Sequence, residues 1–211
     1  MTAMCDVAFL LLSFFILTTS FKPDEALAVT TPKSVQTKAA EQKDVVLITM
    51  DKEGKIYFSV GDENREEKQK VIDFVDQQKQ LGLTQAEKDA FLRGGSFVGV
   101  PFTQLKQYLQ LSPEQLKGFT QPGIPVLDST KNDMIVWMQA ANVAFEGKKM
   151  NLLVKGDQEA KYPSFKGVID AFKKNDMLKF QMITDPENVP TGTELFKTNQ
   201  RRGASMDEGA E

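Results

Sequence analysis

Asp6 opens the most apolar stretch of this 211-residue chain, and polar residues recur around it at helical spacing. Ser13 and Ser20 follow it at seven-residue steps and Thr2 stands four residues before it. On a helix these side chains form one stripe. Phe9, Leu11, Leu12, Phe14, Phe15 and Ile16 occupy the other faces. A charged side chain at the centre of a bilayer costs about 2.5–3.5 kcal/mol on insertion scales, so intramembrane acids usually face a partner or a proton path. Reversible protonation is the chemistry this arrangement supports: the carboxyl is neutral against an apolar wall and charged where water or a polar partner meets it. The polar stripe would then be the face that packs against protein. The competing reading is interfacial, with Asp6 among the headgroups, closing the free N–H groups of the helix start.

Composition excludes most other chemistry. The chain has no His, so it cannot by itself build a Ser-His-Asp triad, a Cys-His dyad or an HExxH zinc site. Its single Cys rules out an intrachain disulfide. With 26 basic and 29 acidic side chains and a net charge of -3, it has no broad positive field, and no nucleic-acid partner is expected. Asp51 and Glu53 lack the other ligands of a calcium loop, and Gly94-Gly95 lacks the Lys-Ser/Thr of a phosphate loop. Neither a metal nor an organic cofactor is expected, and no enzymatic activity; if an ion is handled, it is the proton.

The element that must position Asp6 runs from Met4 to Phe21, apolar from Val7 to Leu17 except at Ser13 and followed by Lys22-Pro23-Asp24-Glu25. As a helix this segment reaches about 27 Å at 1.5 Å per residue, near the roughly 30 Å hydrocarbon core. Residues 1–21 are therefore expected to form a transmembrane helix. A signal peptide cleaved at Ala26-Leu27-Ala28 is the alternative, opposed by the lack of Lys or Arg before the apolar run. Residues 22–43, rich in Lys, Thr, Ala and Pro, read as a flexible linker with an extended reach of about 70 Å.

Beyond the linker the pattern predicts an α+β fold. Val45–Met50 and Ile56–Val60 flank a turn at Asp51-Lys52-Glu53-Gly54 and form a hairpin. Three helix starts follow from capping pairs: Asn64 with Glu67, Thr84 with Glu87, and Ser112 with Gln115. A helix from Ser129 to Phe145 puts Met134, Met138, Ala141 and Phe145 on one core-facing side, with Trp137 and Ala144 beside it, and is ended by Gly147. A closing β-α-β unit comprises a strand at Met150–Val154, a turn at Lys155-Gly156-Asp157, a helix marked by Phe165, Val168, Ile169 and Phe172, and a strand at Phe180–Ile183. Residues 191–211 read as a disordered tail.

Met4-Cys5-Asp6-Val7-Ala8-Phe9-Leu10-Leu11-Leu12, continuing through Phe14-Phe15-Ile16-Leu17-Thr18-Thr19, resembles the membrane anchor of the ExbD/TolR proteins, an Asp-Val opening of a Leu- and Phe-rich helix. Lys155-Gly156-Asp157, Tyr162, Val168, Ile169 and Phe180-Gln181-Met182-Ile183-Thr184 resemble that family's closing strand-helix-strand. The resemblance implies a single-pass inner-membrane protein, Asp6 carrying protons, and a periplasmic domain over 44–190. Thr2, Ser13 and Ser20 would face a pore or partner. Residues 62–128 have no counterpart in short family members and are expected to be a helical insertion. The implied partners are a polytopic ExbB/TolQ-like protein around a pair of such helices, so a homodimer within the complex, and an envelope-spanning TonB/TolA-like protein. The implied function couples proton-motive force to TonB-dependent transport across the outer membrane. A TolR-like envelope-integrity subunit and a membrane-tethered periplasmic binding or scaffold protein are the alternatives.

Overall fold

β-Branched and aromatic runs at Val45–Met50 and Ile56–Val60 must pair to satisfy their backbones, and the sheet is built out from them. The computed structural model describes residues 7–14, 33–34, 43–93, 97–128, 131–183 and 185–186. In chain order the elements are helix α1 (residues 7–14), strands β1 (Lys33–Ser34), β2 (Val45–Met50) and β3 (Ile56–Val60), helices α2 (Arg65–Lys79), α3 (Gln85–Arg93), α4 (Phe102–Leu109), α5 (Pro113–Gly118) and α6 (Met134–Ala144), strand β4 (Asn151–Gly156), helix α7 (Tyr162–Lys174), and strands β5 (Gln181–Ile183) and β6 (Asp185–Pro186).

The hairpin forms as expected. β2 and β3 are antiparallel from Val46 opposite Val60 to Met50 opposite Ile56. Asp51 closes the turn: its backbone N–H donates to the Lys55 carbonyl (3.1 Å), its carbonyl accepts from Gly54 (3.0 Å), and its Oδ1 accepts from the Lys55 N–H (2.8 Å). Gly54 sits at φ +84, where a side chain would also meet Ser164 Oγ at 2.6 Å, so glycine is required twice over.

The four-stranded sheet has the order β3-β2-β4-β5, with β2-β4 and β4-β5 parallel. One face, carrying Val46, Ile48, Ile56, Phe58, Leu152 and Val154, is buried in the core together with Val71, Ile72 and Val75 of α2, Met134, Trp137 and Met138 of α6, and Val168 and Phe172 of α7. The α+β class and the closing β-α-β order expected from the sequence are present. β4 runs further than its pattern suggests: Lys155 and Gly156, read as a turn, remain strand because they pair with Thr49 and Met50. A second sheet, outside any expectation, is the two-residue parallel pairing of β1 with β6, Lys33 opposite Asp185 and Ser34 opposite Pro186.

Between the hairpin and α6 lie α2 to α5. Their capping pairs behave differently. Ser112 and Gln115 form a reciprocal capping box at α5, and at α3 the Thr84 N–H donates to Glu87 Oε2 (2.7 Å) while the Glu87 N–H donates to Thr84 Oγ1 (3.4 Å). Asn64 precedes α2 without making a side-chain cap; its Nδ2 donates to Asp44 Oδ1 at 2.8 Å, while its buried Oδ1 finds no partner. Helix α6 begins at Met134 instead of Ser129. Asn132 Oδ1 accepts the Met134 N–H (3.1 Å), and Asn132 Nδ2 donates to the Gly167 carbonyl on α7 (2.8 Å), so the helix start is set by a contact remote in sequence. Gly167 is packed so tightly against this segment that a Cβ there would lie 2.3 Å from the Val126 carbonyl oxygen.

The helices of the 62–128 segment share the core of the sheet. Trp137 of α6 stacks on Phe58 of β3 (centroids 4.9 Å apart), Phe102 of α4 (5.3 Å) and Phe91 of α3 (6.0 Å). One cooperative unit is the consequence. Because Trp137 is the only tryptophan, urea unfolding followed by its fluorescence and by far-ultraviolet circular dichroism is expected to give superimposable transitions. Trp137→Ala is expected to lower stability by about 3–5 kcal/mol; two separated transitions in the unsubstituted protein would show instead that the segment folds on its own.

Candidate functional site

The sequence points first to the polar stripe of the N-terminal helix. Thr2, Asp6 and Ser20 lie outside the described residues; Ser13 is half-buried on α1. The apolar side chains of residues 7–14 on α1 are strongly exposed: Val7 57%, Phe9 67%, Leu10 64%, Leu11 53%, Leu12 58% and Phe14 60%. Contiguous apolar exposure of this kind marks a surface made for lipid or for another protein. Among the described residues no helix is long and apolar enough to cross a membrane, and no cluster of His, Cys, Asp or Glu could hold a metal ion.

The folded domain presents two sheet edges with different chemistry. The outer edge of β3 is closed: Phe58 exchanges both backbone hydrogen bonds with Val98 (2.8 Å each), and the Ile124 N–H donates to the Ile56 carbonyl (2.8 Å). The opposite edge strand, β5, is only three residues long, and its Gln181 and Met182 are exposed, as is Leu178 just before it. An edge of this kind can accept another strand.

A polar cluster that sequence reasoning missed surrounds the start of α2. Glu67, 3% exposed, pairs with the half-exposed Lys148 from the loop before β4. Hydrogen bonding from Lys148 holds the Glu67 carboxyl below the usual carboxylate range, against the opposing effect of burial. Asn64 Nδ2 donates to Asp44 Oδ1 at 2.8 Å. An open cleft of about 740 Å³ lies here, lined in part by Lys43, Asp44, Glu63, Arg65, Glu66 and Lys148. The signal in the sequence was the Asn64–Glu67 spacing, which reads as a cap. Lys148 is 81 residues from Glu67, and no local pattern pairs them.

Two further carboxyls of the segment are held low. The Thr84 N–H and the Gln110 amide stabilise ionised Glu87. For Asp76, burial pushes the pKa up, but the Leu83 N–H and Lys88 outweigh it; Lys88 Nζ lies 2.9 Å from both Asp76 Oδ2 and Asp73 Oδ1. Asp133 runs the other way, raised by burial despite the Phe102 N–H at 3.2 Å. A small apolar cavity of about 40 Å³ under α5, with Phe91, Leu109 and Leu116 in its walls, has room for about one water.

A family sequence model described as "Biopolymer transport protein ExbD/TolR" matches residues 1–187, the N-terminal stretch and the folded domain alike. Comparison with curated proteins and with solved structures gives no match.

The depressed carboxyls make stability pH-dependent. Their folded pKa values lie below the unfolded value of about 4.3 for Glu and about 3.9 for Asp, so their stabilisation is fully present above that range and is lost as pH falls through the folded values. The urea midpoint is expected to be nearly level from about pH 5 to 8 and to drop below about pH 4. Glu67→Gln is expected to cost about 1–2 kcal/mol at neutral pH, less than a fully buried pair because Lys148 keeps water contact, and to flatten the acid limb. An acid limb as steep in Glu67→Gln as in the unsubstituted protein would count against this assignment.

Proposed function

The chain belongs to the ExbD/TolR family of biopolymer transport proteins, and from that premise we propose that it is the proton-carrying, energy-transducing subunit of an inner-membrane motor. Proteins of this family work with ExbB/TolQ and TonB/TolA partners. In this reading residues 1–21 form the single membrane span, two copies lie inside an ExbB/TolQ-like ring, and residues 44–190 form the periplasmic domain on a 22–43 linker. The observation that supports it is the run of exposed apolar side chains along residues 7–14 of α1. Such a surface is stable in lipid or against a partner, and in the sequence Asp6 is the ionisable residue next to it.

Asp6 would bind a proton where its surroundings are apolar and release it where they are wet, with Thr2, Ser13 and Ser20 lining the face that turns toward the partner. Each charge that crosses 100 mV supplies about 2.3 kcal/mol, enough to shift a packed two-state element by more than tenfold. The periplasmic domain would pass the motion to a TonB-like protein, and the open edge of β5 is the natural place for a strand to add, since the β3 edge is closed by Val98 and Ile124. The proposed outcome is TonB-dependent transport across the outer membrane; a TolR-like role in envelope integrity uses the same chemistry with a TolA-like partner.

Asp6→Asn is expected to reduce energised uptake of a large outer-membrane substrate by at least about tenfold at equal expression, with Asp6→Glu retaining part of it. Loss of detergent resistance without loss of uptake would favour the TolR-like role. Wild-type uptake and envelope integrity in Asp6→Asn, together with full function when the span is replaced by a plain Leu-rich helix, would reduce the segment to a tether.

A further inference from the structure

The chain enters its folded domain through Lys43 and Asp44, and this junction is held from two sides. Asp44 has left-handed backbone, φ 55, which Asp tolerates better than most residues. Its carbonyl accepts the Asn151 N–H at 2.8 Å, and the Lys43 carbonyl accepts Asn151 Nδ2 at 2.7 Å. Its carboxylate accepts Asn64 Nδ2 at 2.8 Å. Asn151 opens β4 at 8% exposure and Asn64 precedes α2 at 5%, so water competes poorly for these amides. The Asn64 carbonyl in turn accepts the Lys68 N–H of α2 at 2.9 Å, and its N–H reaches the Gly61 carbonyl at 3.0 Å. A single residue at the end of the linker thus bonds both to a central strand and to the first helix of the 62–128 segment.

We infer that Asp44 is a latch through which movement of the chain before Lys43 loads β4 and α2 together, with Asp44 and Asn64 as positioning residues that bring the helical segment into the motion. The mechanical role rests on the reading of residues 1–43 as anchor and linker. Without the Asn64 side-chain contact, a pull on the linker reaches α2 through the core, the β2–β3 ladder and the bond from the Gly61 N–H to the Val45 carbonyl (2.9 Å) in the turn before the helix. With it, the first turn of α2 is gripped on one side by Asp44 and on the other by Lys148, which pairs with Glu67. That adds a side-chain connection between the residue at the end of the linker and the residue before α2, beside the backbone route through Gly61.

Asn64→Asp sets two carboxylates against each other across this contact. Combining it with Asp44→Asn restores one donor and one acceptor at the original net charge, while Asp44→Asn alone keeps an acceptor and the left-handed tolerance and serves as the control. In the full chain assembled in vesicles with its multi-span partner, amide exchange at Glu67 and Lys68 is expected to rise about tenfold in Asn64→Asp, with the β3 amides unchanged, and to return in the double variant. Uptake is expected to fall and recover in parallel, measured in cells in which Asp6→Asn abolishes it. Unchanged exchange in Asn64→Asp, failure of the double variant to restore it, or altered exchange with normal uptake in those cells would each overturn the latch. If Asp6→Asn leaves uptake intact while exchange still responds to the swap, the proton-motor reading fails and the coupling of linker to α2 stands.

Discussion

The aromatic stack around Trp137 is the contact on which the rest of the domain depends. Its four rings come from β3, α3, α4 and α6, and the tryptophan itself is completely buried. Its indole N–H has no hydrogen-bond partner in the structure, a desolvation cost of about 1–3 kcal/mol that the surrounding ring contacts must exceed. The stack ties α3 and α4 to α6 and β3, while α2 joins the same core through Val71, Ile72 and Val75. Their position is therefore a property of the core and does not depend on the chain connections alone.

That arrangement explains why the polar contacts of the segment lie where they do. With α2 fixed against α6 and the sheet, its first turn is brought beside the start of β4 and the end of the linker. Glu67 can then meet Lys148, and Asn64 can meet Asp44. Both acidic groups lose water in the process, and the cationic and amide partners replace it. Breaking one member leaves the other partly stranded, which is why such pairs constrain geometry more than they add net stability.

Much of the local structure was legible in the sequence. The hairpin strands fall at the residues their β-branched pattern marks, Thr84 and Ser112 cap α3 and α5, and the period of Phe165, Val168, Ile169 and Phe172 lies within α7. These features depend on neighbours within a few residues. The departures share one physical cause, a competing partner distant along the chain. Asn64 makes no cap and donates its amide N–H to Asp44, α6 starts where Asn132 reaches Gly167, and Lys155 and Gly156 stay in strand because β2 pairs with them. The candidate site was legible only in part: residues 7–14 form a helix where the apolar run marks one, whereas the cluster around Glu67 carried no local signature.

By itself the sequence determined the chemistry open to this protein. A chain without histidine and with one cysteine must use a carboxylate if it moves protons, and Asp6 is the acid that directly precedes the apolar run beginning at Val7. Tertiary structure decided where the other charges act. Glu67, Lys148, Asp44 and Asn64 are ordinary surface types in the sequence; folding buries Glu67 and Asn64 and sets them against partners brought from 81 and 20 residues away. Hydrophobic periodicity is written in adjacent residues, but the pairing of charges depends on which surfaces the core brings together.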